Sequence, residues 1–208
     1  MKLLIIGASG PTGRHVLEKA LQEGDTVTVF CRHPESLKDV KGDFFKIAGD
    51  ATSQEDLVKA MTSQEAVIST LGRGKSTQAN NLFSQSAKAI VQAAKIAKIS
   101  RLVWLSSFGV GETFQDATMI QKFMYRTLLK DIYANKKASE KTIRESHLKW
   151  TIVYPTALMN GSPKGKYRVH DRIKMKGAPR IDRADVAEFM YKAVQNDEWS
   201  FRNAVITN

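Results

Sequence analysis

Lys2-Leu3-Leu4-Ile5-Ile6-Gly7-Ala8-Ser9-Gly10-Pro11-Thr12-Gly13 is the stretch whose reading decides the fold. Its apolar first half reads as a parallel strand buried on both faces, where hydrophobic residues run on without alternating. The second half is a turn with a glycine at every third position, Gly7, Gly10 and Gly13. Beyond it, Val16, Leu17, Ala20 and Leu21 recur on one face of a helix. A strand, a glycine turn and a helix in this order can hold a pyrophosphate. The glycines let the backbone turn tightly and approach the ligand, and the free N–H groups of the helix's first turn point at the anion. Pro11 suits that helix start, because its φ is preset and its missing N–H costs nothing there. The spacing is G-x-x-G-x-x-G, unlike the G-x-G-x-x-G of the best-known dinucleotide fingerprint. The flanking strand and amphipathic helix therefore carry the assignment to a dinucleotide over a plain βα turn.

Further along, residues 26–31 (TVTVFC) read as a second strand followed at once by Arg32-His33-Pro34. The acidic residue that grips the ribose hydroxyls of NAD usually lies about 20 residues past the glycine turn. No Asp or Glu stands there; Arg32 does, and a guanidinium pairs with a 2′-phosphate in two-pronged fashion. NADP(H) is expected, with NAD(H) less favoured. Residues 44–48 and 66–71 are a third and a fourth strand, and 54–61 has helical spacing between them. In open α/β sheets ligands sit at the carboxyl ends of strands, which nominates Asp50, Thr70, Leu71 and Gly72. Asp50 can accept from the adenine amino group or cap the helix that follows it. Residues 80–98 form a long helix, and 101–105 (RLVWL) a fifth strand that ends in Ser106-Ser107-Phe108-Gly109. Repeated βα units imply one α/β domain over residues 1–208 with a doubly wound parallel sheet of the Rossmann type.

Composition bounds the rest. A chain of 208 residues, 42% hydrophobic and 25% charged, has room for one sizeable core. No apolar stretch reaches the length of a membrane span, and the amino-terminal run ends at a glycine turn, not at a cleavage site. The single cysteine, Cys31, cannot form an internal disulfide, which points to a reducing cytoplasm. Four scattered histidines and one cysteine suggest no metal site. The net charge of +11 is densest over residues 164–183, where Tyr167 is the one aromatic. That argues against a nucleic-acid partner and for a solvated or cofactor-facing surface.

The carboxyl-terminal half is less regular. Residues 111–130 lack a clean period but hold Phe114, Met119, Ile120, Phe123, Met124 and Leu128. Core is the favoured reading for most of them, with a wall for a flat substrate as the alternative. Residues 132–146 form a helix with Tyr133, Lys136, Lys137 and Glu140, and 149–154 a sixth strand ending at Pro155-Thr156-Ala157. A last helix starts at Arg183, and residues 204–207 read as a short final strand.

In this order the pieces resemble the atypical short-chain dehydrogenase/reductase superfamily. Within it they are most similar to the NAD(P)H-binding group that includes NmrA-like proteins, NADH-flavin reductases and biliverdin-IXβ reductase (flavin reductase). The resemblance rests on Gly7-x-x-Gly10-x-x-Gly13, Arg32, Gly49-Asp50-Ala51, Thr70-Leu71-Gly72, Ser106-Ser107, the block 144–151, Pro155 and Arg183-Ala184-Asp185-Val186-Ala187. It implies that Gly7, Ser9, Gly10, Pro11, Thr12 and Gly13 surround the pyrophosphate and that Arg32 holds the 2′-phosphate. Asp50 and Ala51 would border the adenine. Thr70, Leu71, Gly72 and Arg73 would line the adjoining ribose, and Ser106, Ser107, Pro155, Thr156 and Ala157 the nicotinamide. Residues 108–180 or so would supply the substrate side.

Typical members use Tyr-x-x-x-Lys, where the tyrosine transfers a proton and the lysine lowers its pKa and binds the ribose. Tyr133 and Lys137 have that spacing. Related families place the lysine four residues before a helix carboxylate, which selects Lys136 with Glu140 and puts Ile132 where the tyrosine would be. The block 144–151 favours this second register. Without a secure tyrosine, the chain suits hydride transfer to a stacked planar acceptor (a flavin, quinone or tetrapyrrole), where positioning two flat rings does most of the catalysis. Ser107 is then the expected group that orients or protonates the acceptor, with Lys136 second and Tyr133 a lesser candidate. The rival expectation is an NmrA-like redox sensor that binds NADP(H) without turnover. A sugar-nucleotide epimerase is disfavoured by the short carboxyl-terminal region.

Overall fold

The computed structural model describes residues 1–74 and 76–208. Its strands are β1 (Lys2–Ile6), β2 (Thr26–Cys31), β3 (Phe45–Ala48), β4 (Ala66–Ser69), β5 (Arg101–Leu105), β6 (Lys149–Pro155), β7 (Ala157–Met159), β8 (Arg168–His170), β9 (Arg180–Asp182) and β10 (Arg202–Thr207). Its helices are α1 (Pro11–Gln22), α2 (Gln54–Met61), α3 (Leu82–Ala97), α4 (Met119–Thr127), α5 (Lys130–Arg144) and α6 (Arg183–Val194).

Burial on both faces explains the unbroken apolar runs. Along β1, Leu3 and Ile5 face a core shared with Val16, Leu17 and Ala20 of α1 and Val186 and Met190 of α6. Leu4 and Ile6 face the opposite core, with Leu57 of α2, Phe83, Ala87 and Ile90 of α3, and Ile143 of α5. The same division recurs on β5, where Val103 and Leu105 face the first core and Leu102 and Trp104 the second. Each large apolar side chain buried this way stabilises the fold by about 1.5–3 kcal/mol. A one-residue slip of any inner strand would trade its entire set between the two layers.

Eight strands make the main sheet in the order β3-β2-β1-β4-β5-β6-β10-β8, and β7 and β9 make a separate parallel pair. Every neighbouring pair in the main sheet is parallel except β10 with β8, which is antiparallel at the edge. This is the expected Rossmann-type doubly wound sheet. The winding reverses between β1 and β4, and the splayed loops at that reversal leave a crevice at the carboxyl ends of the strands.

Three expectations change. The final strand is six residues long and lies inside the sheet, paired in parallel with β6. The helix after Asp50 is capped by Ser53, whose hydroxyl accepts from the Asp56 N–H at 3.2 Å. Asp50 instead closes its own turn, accepting from the Thr52 N–H and hydroxyl at 2.8 Å each. The apolar residues of α4 are not core: Met119, Ile120 and Phe123 are 82%, 83% and 72% exposed, and Leu128 just beyond the helix is exposed too. The helix is only nine residues long and only Tyr125 on it is buried, so one side chain is its anchor to the core. Among the described residues, no helix is long and apolar enough to cross a membrane.

Candidate functional site

A cleft of about 780 Å³ opens at the carboxyl ends of β1, β2, β4 and β5, with Ile6, Gly7, Ser9, Gly10, Pro11 and Thr12 along its floor. The turn is built by close backbone approach. Gly7 has φ +85°, in the left-handed region. A Cβ on Gly13 would lie 2.2 Å from the Gly7 carbonyl oxygen and 2.6 Å from Thr70 Oγ1, so only glycine fits there. Thr70 Oγ1 lies 3.1 Å from both the Ile6 and the Gly7 carbonyl oxygens, tying β4 to the turn. Gly10, the N-cap of α1, offers no side-chain cap, and the first backbone bond back to it comes from Arg14, at 2.9 Å. The N–H groups of Thr12 and Gly13 therefore come before the helical ladder, and with the positive end of the helix dipole they suit an anion.

The charge of the cleft agrees with that geometry. Arg32, Arg73, Lys136 and Arg183 line it, and Asp50 is the one carboxylate among its described lining residues. A polyphosphate fits such an excess of cations. The Thr52 hydrogen bonds, helped by nearby Arg32, hold the Asp50 carboxyl below the usual carboxylate range. Asp50 therefore stays ionised and acts as an acceptor. Arg73 donates from Nε to the Gln78 carbonyl at 2.9 Å, and Arg183 donates to Asn160 Oδ1 at 2.6 Å.

At the far end the cleft is lined by Phe83, Ser106, Ser107, Ile132 and Lys136. Lys136 is 6% exposed. Its Nζ donates to Ser107 Oγ at 3.0 Å and sits 4.8 Å from the centre of the Phe83 ring. Burial draws its pKa down to about 8, with the charge of Glu140 pulling the other way. An ammonium poised there can give up a proton near neutral pH.

The two tyrosine–lysine registers separate in space. Lys136 lies at the cleft and Ile132 occupies the place four residues before it, whereas Lys137 is exposed. Tyr133 is not among the lining residues. Its hydroxyl donates to the Phe108 carbonyl at 3.0 Å, and its ring packs 4.7 Å from that of Tyr125. Burial pushes the phenol far above its ordinary pKa, which makes it a poor proton donor.

Gly13, Pro155, Thr156 and Ala157 also fall outside the lining. Gly13 shapes the turn from behind, the Pro155 carbonyl accepts from the Phe108 N–H at 3.0 Å, and Thr156 Oγ1 pairs with Thr207 Oγ1 at 3.0 Å. Sequence reasoning missed Asn80, Phe83, Gln85, Ile132 as a lining residue, Leu158 and Arg183. The apolar period of α3 marked its inner face but could not show that its first turn reaches the cleft. Arg183 stood in a quoted motif and carried no assigned role.

Fold and cleft together define a Rossmann-type dinucleotide-binding protein. The chain belongs to the NAD(P)H-binding family, whose sequence model matches residues 7–197. Among curated relatives, the uncharacterized protein YwnB of Bacillus subtilis is 24% identical over 213 aligned positions, covering 95% of this chain and 94% of its own length. Photosystem II assembly factor Ycf39 of Cyanophora paradoxa is 29% identical over 135 residues, so this chain spans only 42% of that relative's length. Among solved structures, the anaerobilin reductase ChuY of Escherichia coli O157:H7 superposes with a TM-score of 0.83 at 22% identity, covering 99% of this chain and 96% of that one. A short-chain dehydrogenase/reductase from Veillonella parvula, solved with NADP, gives 0.80 at 18% identity, covering 100% of this chain and 94% of that one. These structural likenesses show the same Rossmann-type fold over nearly the whole chain.

Proposed function

We propose that the protein is an NADPH-dependent reductase that passes a hydride to a planar acceptor such as a flavin, a quinone or a tetrapyrrole. The observation that carries this reading is the Lys136–Ser107 pair at the cleft, with Ile132 where a proton-donating tyrosine would stand. The reported reductase activity of ChuY and the NADP bound to the Veillonella protein support it by analogy of fold.

In this reading the amino-terminal turn from Gly7 to Thr12 and the first N–H groups of α1 receive the pyrophosphate. Arg32 takes the 2′-phosphate, Asp50 and Ala51 border the adenine, and Thr70 to Arg73 follow the ribose. Bound NADPH supplies the hydride. Ser107 orients the acceptor and hands on a proton, and Lys136 replenishes that proton through their hydrogen bond. Ile132 and Phe83 give the end of the cleft apolar surfaces against which a flat ring can pack.

Titration with both reduced nicotinamides, followed by NADPH oxidation over a panel of FMN, riboflavin, quinones and tetrapyrroles, tests the proposal. Saturable NADPH oxidation with one acceptor class is the expected result. Tight binding with no turnover across the panel would assign the chain to redox sensing, and failure of both nicotinamides to bind would end both readings.

A further inference from the structure

Two consecutive serines follow β5, and each is held by a different ionisable group of α5. Ser107 accepts from Lys136 Nζ at 3.0 Å, while Ser106 donates to Glu140 Oε1. Lys136 and Glu140 are one helical turn apart, so their side chains leave the same face of the helix. Glu140 is 3% exposed, and its second oxygen accepts from the Tyr154 hydroxyl at 2.9 Å. Tyr154 in turn accepts from Arg144 at 2.9 Å, and Arg144 also donates to Asn203 Oδ1 at 2.7 Å. The turn after β5 is shaped around this carboxylate. Gly111 has φ +56°, and a Cβ there would lie 2.9 Å from Glu140 Oε2.

A buried carboxylate with two hydroxyl donors is costly to place and invites a reason. The charged and titratable groups facing Glu140 are Lys136 and Arg144 on its own helix and Tyr154 from β6. The turn after β5 contributes the Ser106 hydroxyl, and the Phe83 ring of α3 lies against Lys136. Burial raises the Glu140 pKa, while its bonds to Ser106 and Tyr154 and the charges of Arg144 and Lys136 pull it back down. Lys136 has Glu140 one turn away as its countercharge, and Arg144 is engaged with Tyr154 and Asn203.

We propose that Glu140 is a positioning residue of this site: its carboxylate, clamped by Ser106 and Tyr154, keeps the Lys136 ammonium charged and aimed at Ser107. The inference rests on the reductase reading for its consequence in turnover, but not for the coupling itself. Without the carboxylate, desolvation of Lys136 is opposed by nothing of comparable size and the amine loses its proton at lower pH.

The experiment follows Lys136 Nζ by NMR of 15N-lysine-labelled protein, in wild type and in Glu140→Gln, alongside the pH profile of NADPH oxidation. The lysine pKa in Glu140→Gln should fall by about two units, the scale expected for charges about 6 Å apart at an effective dielectric near 20. The alkaline limb of kcat should move down with it, and Glu140→Asp should restore both. An unmoved lysine pKa in folded Glu140→Gln overturns the proposal. A shifted pKa in a protein for which none of the tested acceptors supports NADPH oxidation upholds the coupling and refutes the reductase reading alone. Should Glu140→Gln not fold, the coupling is read from the other side. Lys136→Met should raise the pKa of the Glu140 carboxyl, followed by 13C-glutamate NMR, and an unchanged value refutes the proposal.

Discussion

Reversing the charge at Arg32 isolates the contact that would tell NADPH from NADH. The side chain is exposed at the mouth of the cleft, beside Asp50, and it is at the end of β2 where a 2′-phosphate would lie. Hydrogen bonds to charged groups contribute about 1.5–3 kcal/mol, and every 1.4 kcal/mol is tenfold in affinity. Removing the guanidinium should therefore weaken NADPH about 10- to 100-fold. Arg32→Glu adds a carboxylate facing the phosphate and should reach the upper end, about 100-fold, while NADH, lacking that phosphate, changes by less than about threefold. Asp50 keeps its Thr52 hydrogen bonds whatever stands at 32, and a surface substitution of this kind shifts stability by about 0.5 kcal/mol or less. Fluorescence titration of both cofactors, with thermal denaturation as the control, reads the effect. The NADPH preference of the wild type should also shrink as salt rises from 0.05 to about 0.5 M, since the contact is exposed and screened. Equal loss of both nicotinamides in a stable variant would refute the reasoning.

The other expectations concern the turn, the tyrosine and the lysine. Gly13→Ala drives a methyl against the Gly7 carbonyl oxygen and Thr70 Oγ1; it should destabilise the fold by about 1–3 kcal/mol and abolish measurable cofactor binding, as followed by denaturant melts and titration. Tyr133→Phe loses one hydrogen bond, to Phe108, and should cost about 1 kcal/mol of stability with acceptor reduction nearly intact; a loss of about a hundredfold would restore the Tyr133–Lys137 pair as catalytic. Lys136 gives its proton only while protonated, so kcat should fall as pH rises through about 8 and should lose that limb altogether in Lys136→Met. A flat kcat between pH 6 and about 10 in the wild type would remove Lys136 from the proton path.

Much of the fold was legible because the signals were local and repeated. The apolar run Lys2–Ile6 and its glycine turn announced a buried strand turning into a helix, and the βα alternation that followed left a parallel, doubly wound sheet as the consistent topology. The place of Arg32 was legible for the same reason: the first βα unit sets the distance from the glycine turn to the end of the next strand. Residues 111–130 misled because hydrophobicity alone cannot distinguish a side chain packed inside from one left outside. Only the docking of α4 through Tyr125 decides that Phe123 and Ile120 face outward.

The order of residues by itself determined the layers, the parallel winding and the glycine turn, since hydrophobic period and glycine geometry act over a few neighbours. Tertiary structure alone decided the chemistry at the other end of the cleft. Packing α5 against α3 and the end of β5 sets Lys136 on Ser107 and Glu140 on Ser106, while Tyr133 turns its hydroxyl to the Phe108 carbonyl. Those partners lie some 25 to 35 residues apart along the chain, and a one-residue change of helix phase rotates a side chain by about 100°. The spacing from lysine to helix carboxylate already favoured Lys136 over Lys137; the angle at which α5 meets the sheet is what sets Lys136 on Ser107.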